Sequence, residues 1–398
     1  QDRLYFVKNP YDHNLASLRR ERHLMGPRLP LTPVVGDLPE MVPFIGPETF
    51  ERRQGRKLRV RLGANESAFG ISPAAREAMQ AAVQDSWMYN DPEAYDLTEA
   101  LSQAHGVAFE QVLVGAGIDE LLGLLVRIFA DRGEPVVMSN GSYPTFAYHT
   151  TGHGAPLETV DYVDDQVDLV GLAVRVQETG ARLVYVANPD NPMGGWRTAK
   201  QISDFVDAVG PECMIILDEA YADFAPQEAK GCVVTQPLAL APGNVIRTRT
   251  FSKAHGLAGA RVGYLLADVK IVDVLKRVRN QFGVNRIAQV GALASLADTD
   301  FVARVVDGVW SGREQLRQVA DGLGLNCLAS ATNFVNIDVG GGARARQLLA
   351  YLIEADVFVR MPSSSPGDRC LRVTVGRPAD HEIFAAALAD AMTRVDPS

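Results

Sequence analysis

Met214-Ile215-Ile216-Leu217-Asp218-Glu219-Ala220-Tyr221 is an apolar run of strand length that stops on an ionisable carboxylate. Runs of the same kind surround it: Val112-Leu113-Val114, Pro135-Val136-Val137-Met138, Leu183-Val184-Tyr185-Val186, Val245-Ile246-Arg247-Thr248 and Val262-Gly263-Tyr264-Leu265-Leu266. Helical stretches separate them. Short, continuously apolar strands spaced by helices are the pattern of a mostly parallel sheet covered on both faces, because each side of such a strand must meet apolar neighbours. These runs, between about residues 110 and 267, predict an α/β core. After residue 290 the texture changes. Phe334-Val335-Asn336-Ile337 and Leu371-Arg372-Val373-Thr374-Val375 alternate, and helical patterns lie near 343–354 and 381–394. That predicts a smaller α+β domain whose sheet has one solvated face.

The 398 residues, 47% of them apolar, suffice for about two domains with sizeable cores. Seven of the 22 prolines fall before residue 58, which argues against long helices or a central strand there and predicts an extended arm. The expected division is an N-terminal proline-rich arm over 1–60, a large domain over 61–290 with an N-terminal segment contributing to the small domain, and a small C-terminal domain over 291–398. A formal charge of -9 gives no global basic field, which excludes nucleic acid or an anionic membrane as the main partner. The arginines of the arm alternate with glutamates and read as packing residues rather than as a nucleic-acid tail. Cys213, Cys232, Cys327 and Cys370 are far apart, so neither a metal site nor a disulfide framework is expected. With no apolar run long enough for a membrane span and no leader pattern at the start, a cytoplasmic protein is the expectation.

In open α/β sheets ligands bind at the carboxyl ends of the strands. Here those ends are rich in polar groups. Gly115-Ala116-Gly117-Ile118-Asp119-Glu120 turns directly into a helical run, whose first amides can hold a phosphate, although such a turn is also ordinary punctuation. Asn188-Pro189-Asp190-Asn191-Pro192 enforces an extended path and projects amide side chains. Asp218 closes a buried strand and needs a cation or a strong donor, unless it is a helix N-cap. Arg249-Thr250-Phe251-Ser252-Lys253, followed by Arg261, sets an amine beside hydroxyls and a guanidinium, a combination suited to a Schiff-base lysine with a phosphate cradle; a solvated lysine is the alternative.

Together with Asn65-Glu66, Tyr89-Asn90-Asp91-Pro92 and Cys370-Leu371-Arg372-Val373-Thr374, these segments resemble, in order and spacing from about Arg61 to Arg394, the fold-type I class I/II aminotransferases that depend on pyridoxal 5'-phosphate, and within them the histidinol-phosphate aminotransferase group. The resemblance implies a large domain with a mostly parallel seven-stranded sheet. It makes Lys253 the residue that bears the cofactor and shuttles the proton, Asp218 the partner of the pyridine nitrogen, and Asn191 and Tyr221 donors to the phenolic oxygen. It also implies that Tyr143 stacks on the ring, that Ile118, Asp119, Thr250, Ser252 and Arg261 hold the phosphate, and that Tyr89 reaches the cofactor of a second subunit in a homodimer. Arg372 would take the substrate carboxylate and Arg360 a substrate phosphate, with exposed strand arginines as the alternative for both. The implied partners are a small-molecule amino donor and a 2-oxo acid acceptor.

Three positions depart from the family pattern. Phe69 stands where a tyrosine is usual, removing a hydroxyl associated with substrate phosphate; Met193 replaces a threonine; His255 replaces an apolar aromatic residue and is expected to be structural. With the long arm, these departures predict a specialised biosynthetic relative acting on another amino acid, with histidinol-phosphate aminotransferase proper as the alternative. A decarboxylase similar to threonine-phosphate decarboxylase shares most cofactor residues. An aminotransferase-like regulator would need a winged-helix module that the arm does not supply.

Overall fold

In the computed structural model, which describes residues 30–38, 45–225 and 243–396, strands numbered along the chain are β1 (Val60–Arg61), β2 (Val112–Gly115), β3 (Val136–Ser139), β4 (Leu157–Val160), β5 (Leu183–Ala187), β6 (Met214–Asp218), β7 (Val245–Thr250), β8 (Gly263–Leu266), β9 (Asn326–Cys327), β10 (Phe334–Asp338), β11 (Val357–Phe358) and β12 (Cys370–Thr374). Seven of them form the central sheet in the order β2-β8-β7-β6-β5-β3-β4. All neighbours are parallel except at β8, which is antiparallel to β2 and β7. This is the mostly parallel α/β sheet expected from the sequence. The edge strand β4 gave no apolar run because it is only partly buried: Leu157-Glu158-Thr159-Val160 is covered by the sheet on one edge alone.

Each face of the sheet has its own core. Leu183, Tyr185 and Ala187 of β5, with Ile216 and Ile246, pack beneath helices Ile118–Phe129 and Pro144–His153. The intervening residues Val184 and Val186, with Ile215, Leu217 and Val245, face helices Leu169–Thr179 and Ala199–Val209. Helix Ile118–Phe129 illustrates what fixes these elements. It buries Leu121, Leu122, Leu124 and Leu125 at helical spacing, each contributing about 1.5–3 kcal/mol, but its N-cap is Gly117, which offers no capping oxygen. Packing therefore holds the helix, and its first amides are left for an acceptor from outside.

The chain divides into two compact units, Gln1–Glu40 and Met41–Ser398. The described part of the first holds one helical turn, Pro33–Gly36, capped by Thr32. The stretch 1–60, expected to be extended, also contains helix Pro47–Gln54 in the second unit. Proline at the first helical position explains the correction: its missing N–H has no intrahelical partner there in any case. Arg19, Arg20 and Arg22 lie outside the described residues.

A second correction concerns the three-stranded antiparallel sheet β12-β10-β9, for which one solvated face was expected. β10 and β12 are buried along almost their whole length. The polar positions face protein. Asn336 donates to the Pro192 and Met193 carbonyls, and Thr374 exchanges hydrogen bonds with Asn65, so the face read as wet is closed by the loops that follow β1 and β5. Where β11 ends, Arg360 and Arg372 form an antiparallel bridge, and β1 pairs with β11 in parallel.

An ion cluster lies behind β6. Glu219, whose side chain is 0% exposed, accepts from Arg247 at 2.7 Å and from Arg249 at 2.9 Å, and Arg249 also faces Asp223 at 3.7 Å. Truncating Glu219 strands two guanidinium groups in the interior, a change that typically costs about 3–5 kcal/mol. Glu219→Ala is expected to lower the urea midpoint far more than Glu314→Ala in the exposed Arg317 pair. Equal midpoints for the two variants would show that the buried cluster is not holding β6 to β7.

Candidate active site

A cavity of about 250 Å³ opens at the carboxyl ends of β5, β6 and β7 and is lined by residues from all three ends and from the turn before helix Ile118–Phe129. Its floor is Asp218. β5 and β6 are in register with Ala187 opposite Asp218, so Tyr185, two residues earlier, shares that face and reaches Asp218 diagonally. Its hydroxyl donates to Asp218 Oδ2 at 2.7 Å, while Oδ1 accepts from the Ala220 amide at 3.0 Å. Burial pushes Asp218 up to about 6, opposed by these hydrogen bonds. The next element is the short 3-10 helix Ala222–Phe224, whose N-cap is Tyr221, which removes the N-cap alternative for Asp218.

Lys253 lies in the loop after β7, and its Nζ donates to the Asn65 carbonyl at 3.0 Å. Burial, reinforced by Arg372, lowers this amine to about 8, so a neutral fraction is accessible near neutral pH. Tyr221 accepts from Asn65 Nδ2 at 2.9 Å, and burial pushes its phenol up to about 12, which keeps it a donor. Asn65 holds the two together from a left-handed backbone at φ 54°. Its position was visible in the sequence as Asn65-Glu66, but its hydrogen-bonding role was not, because the contact spans 188 residues to Lys253.

At the other end stand Ile118, Asp119, Thr250, Ser252 and Arg261. Arg261 Nη2 pairs with Asp119 Oδ2 at 3.2 Å, and Tyr143 donates to Asp119 Oδ1 at 2.8 Å. Burial, and then the Asp119 charge, raise the Tyr143 phenol. Gly117 at φ +84° is required here, since a Cβ would come within 2.5 Å of Arg261 Nη2.

The structure does not bring every expected residue to the cavity. Arg372 stands beside it, its Nη1 donating to Asn191 Oδ1 at 2.7 Å. Arg360 donates to the Ile45 carbonyl at 3.0 Å and lies over the Phe358 ring. Phe69 packs on helix Thr299–Gly322 at Gly308 rather than lining the cavity. Tyr89 is 80% exposed, against Phe282. His255 is bound to Ser295 at 2.8 Å and packed on Phe251. Sequence reasoning treated Tyr185 only as a strand residue; its alternation with Ala187 and Asp218 was the available signal.

A buried amine, a buried carboxylate and an anion cradle around one cavity call for comparison with known enzymes. The pattern of the family described as aminotransferase class I and II matches residues 59–388. The chain belongs to the class I and II aminotransferases. The histidinol-phosphate aminotransferase of Desulfotalea psychrophila is 33% identical over 369 residues, spanning 90% of this chain and 96% of that protein. That of Anaeromyxobacter sp. is 35% identical over 362 residues, with 90% and 98% covered. The crystal structure of the Sinorhizobium meliloti histidinol-phosphate aminotransferase in complex with pyridoxal-5'-phosphate has a TM-score of 0.89 and 41% identity, covering 94% of this chain and all of that one. This aminotransferase thus has the fold-type I architecture, and no helix among its described residues is long and apolar enough to cross a membrane. The cofactor of the family is pyridoxal phosphate, and the residues present have the chemistry to hold it: the Gly117 turn and Arg261 would suit its phosphate, the Lys253 amine its aldehyde, and the Asp218 carboxylate a protonated ring nitrogen.

One more carboxylate is buried beside this aminotransferase cavity. Asp190 accepts from Tyr162 at 3.1 Å and from the Met193 amide at 2.9 Å, and burial pushes it up to about 7. A folded value raised above the unfolded one, roughly 3.9, means that the native state favours the protonated form; stability falls as pH rises from about 4 to about 7 and levels off above. Denaturation midpoints measured across that window should fall less in Asp190→Asn than in the wild type. Parallel curves would place the titration elsewhere.

Proposed function

We propose that this aminotransferase exchanges an amino group between an amine whose far end is anionic and a 2-oxo acid, with histidinol phosphate the first donor to test. The observation that carries this reading is the Arg360–Arg372 bridge. Residues paired directly across an antiparallel bridge project to the same side, so the Arg360 side chain leaves the strand on the side from which Arg372 reaches Asn191. One suits a carboxylate, and two suit a substrate with a second anionic group. The names of the similar enzymes favour phosphate as that group.

In this reading residues 61–290 carry the cofactor site and 291–398 supply the two arginines. Bound pyridoxal phosphate supplies an electron sink for the bond broken at the substrate carbon. Lys253, lowered to about 8, takes and returns the proton at that carbon. Asp218 holds a positive charge on the ring nitrogen. Tyr221 donates from its hydroxyl, and Asn191, whose carbonyl oxygen is taken by Arg372, offers its NH₂ to the same oxygen. Ile118, Asp119, Thr250, Ser252 and Arg261 hold the phosphate, and Tyr143, tied to Asp119, covers the ring.

Mixed with pyridoxal phosphate, the protein is expected to show a visible absorption band that Lys253→Ala lacks, together with amino transfer that the variant also lacks. Arg372→Ala should raise KM for the 2-oxo acid about 10- to 100-fold, as expected from losing a charge-assisted contact. A second reading, the specialised relative, rests on Phe69, which brings no hydroxyl to the cavity. A donor panel decides between them: an ordinary amino acid outperforming histidinol phosphate, with Arg360→Ala unaffected, would establish the second.

The same reading places Tyr89 at the cavity of a second copy. Trp87 is 82% exposed and Tyr89 80%, with Met88 and Phe282 beside them, an apolar surface suited to self-association. Light scattering should give a dimer, and Trp87→Ser should shift it toward monomer with weaker cofactor retention. A fully active monomer would remove the shared site.

A further inference from the structure

We propose that Tyr185 is a positioning residue of the reaction, holding Asp218 ionised and aimed at the cofactor ring nitrogen; the inference rests on the role given to Asp218 above. Tyr185 is 1% exposed, and its ring is fixed by stacking on Phe146 at 4.6 Å and an interplanar angle of 19°. Phe146 belongs to helix Pro144–His153, which begins directly after Tyr143. The hydroxyl so placed meets Asp218 Oδ2 at 2.7 Å, and β5 and β6 set the pair by their register. A strand phenol clamped by an aromatic neighbour cannot swing away, so the carboxylate it meets has one orientation.

The energetic need follows from burial. A carboxylate in this position is desolvated, which favours its neutral form, and a neutral acid cannot pair with a protonated ring nitrogen. Three donors oppose that loss, Tyr185 on Oδ2, the Ala220 amide on Oδ1 and, more weakly, the Thr248 hydroxyl. The amide is part of the chain and cannot be tuned by substitution. The phenol can. The other titratable groups around the pair are Asp119 and Tyr143 at the far wall, Asp190 beyond β5, Tyr221 after β6, and Lys253 after β7. Asp119, Asp190 and Tyr221 offer Asp218 no hydrogen-bond donor in place of Tyr185 among the described contacts, and Asp119 raises its pKa further.

Tyr185→Phe removes one oxygen and keeps the ring that stacks on Phe146. In the full chain without cofactor, the carboxyl titration of Asp218, followed by ¹³C-labelled aspartate resonances assigned through Asp218→Asn, should move up by about one pH unit, the size expected from losing a hydrogen bond to a charged acceptor. In the loaded enzyme, the acidic limb of kcat and of the cofactor Kd should move up by the same amount. Near pH 9, where Asp218 is ionised in both forms, the variant should return toward wild-type values. In an Asp218→Asn background the Tyr185→Phe change should add no further pH dependence. An unmoved Asp218 titration, or a loss that is equal at every pH, would overturn the inference by reducing Tyr185 to a packing residue. If Asp218 titrates as expected but Asp218→Asn leaves cofactor binding and kcat unchanged, the role of Asp218 fails while the Tyr185–Asp218 coupling stands.

Discussion

The end of β6 is the constraint around which this molecule is arranged. Asp218 and Glu219 are consecutive carboxylates carried into the interior by one apolar strand, and the twofold alternation of a strand sends them to opposite faces of the sheet. Neither can remain charged there without partners. The two faces answer differently. Behind the sheet, Glu219 is met by two arginines of β7 and becomes a fixed structural joint. In front, among the described residues, Asp218 is met by neutral donors, the Tyr185 phenol, the Ala220 amide and the Thr248 hydroxyl, none of which cancels its charge. The same desolvation that would make a lone carboxylate a liability is what would make this one a binding group in the proposed reading.

The sheet also explains why the cavity can be polar and still stable. β5, β6 and β7 are central strands, buried on both faces; β5 and β6 are apolar along almost their whole length, while β7 adds Val245 and Ile246 to the core and two buried arginines paired with Glu219. Polar residues collect at and just past the last ladder pairs, as with Asp218 opposite Thr248 and Thr250 opposite Gly263, where the chain turns toward the cavity. Long-range hydrogen bonds then lock the loops: Asn65 joins Lys253, Tyr221 and Thr374, and Asn336 holds the turn after Asn191. These ties run between the seven-stranded sheet and the β10–β12 sheet, so the cavity wall depends on both.

Much of this could be read from the sequence because apolar runs mark central strands and the residue after each run marks the ligand edge. Lys253, Asp218, Tyr221 and the Gly117 turn stand where that rule places them. Three things were hidden. β4 is an edge strand with only partial burial and therefore lacks the apolar signature. Asn336 and Thr374 looked like solvent-facing polar positions because alternation cannot tell water from a polar loop packed against the strand. Tyr185 was concealed by its own strand, since a phenol inside an apolar run reads as core until the neighbouring strand's register is known. Helix Pro47–Gln54 shows the converse error: proline was read as a helix breaker where it was a helix start.

Charge shows how local design overrides the whole. The chain carries a formal charge of -9, yet Lys253, Arg261 and Arg372 converge on or beside one cavity. Each is held by an oxygen: Lys253 by the Asn65 carbonyl, Arg261 by Asp119, and Arg372 by Asn191. Two of those three oxygens belong to neutral groups, which orient the cations without themselves adding a negative charge. In the proposed reading an anionic substrate would meet donors already aimed, and a neutral acceptor weakens a donor's field less than a carboxylate would. In that reading these aimed donors would select small anionic ligands, while the net negative charge of the chain disfavours polyanions.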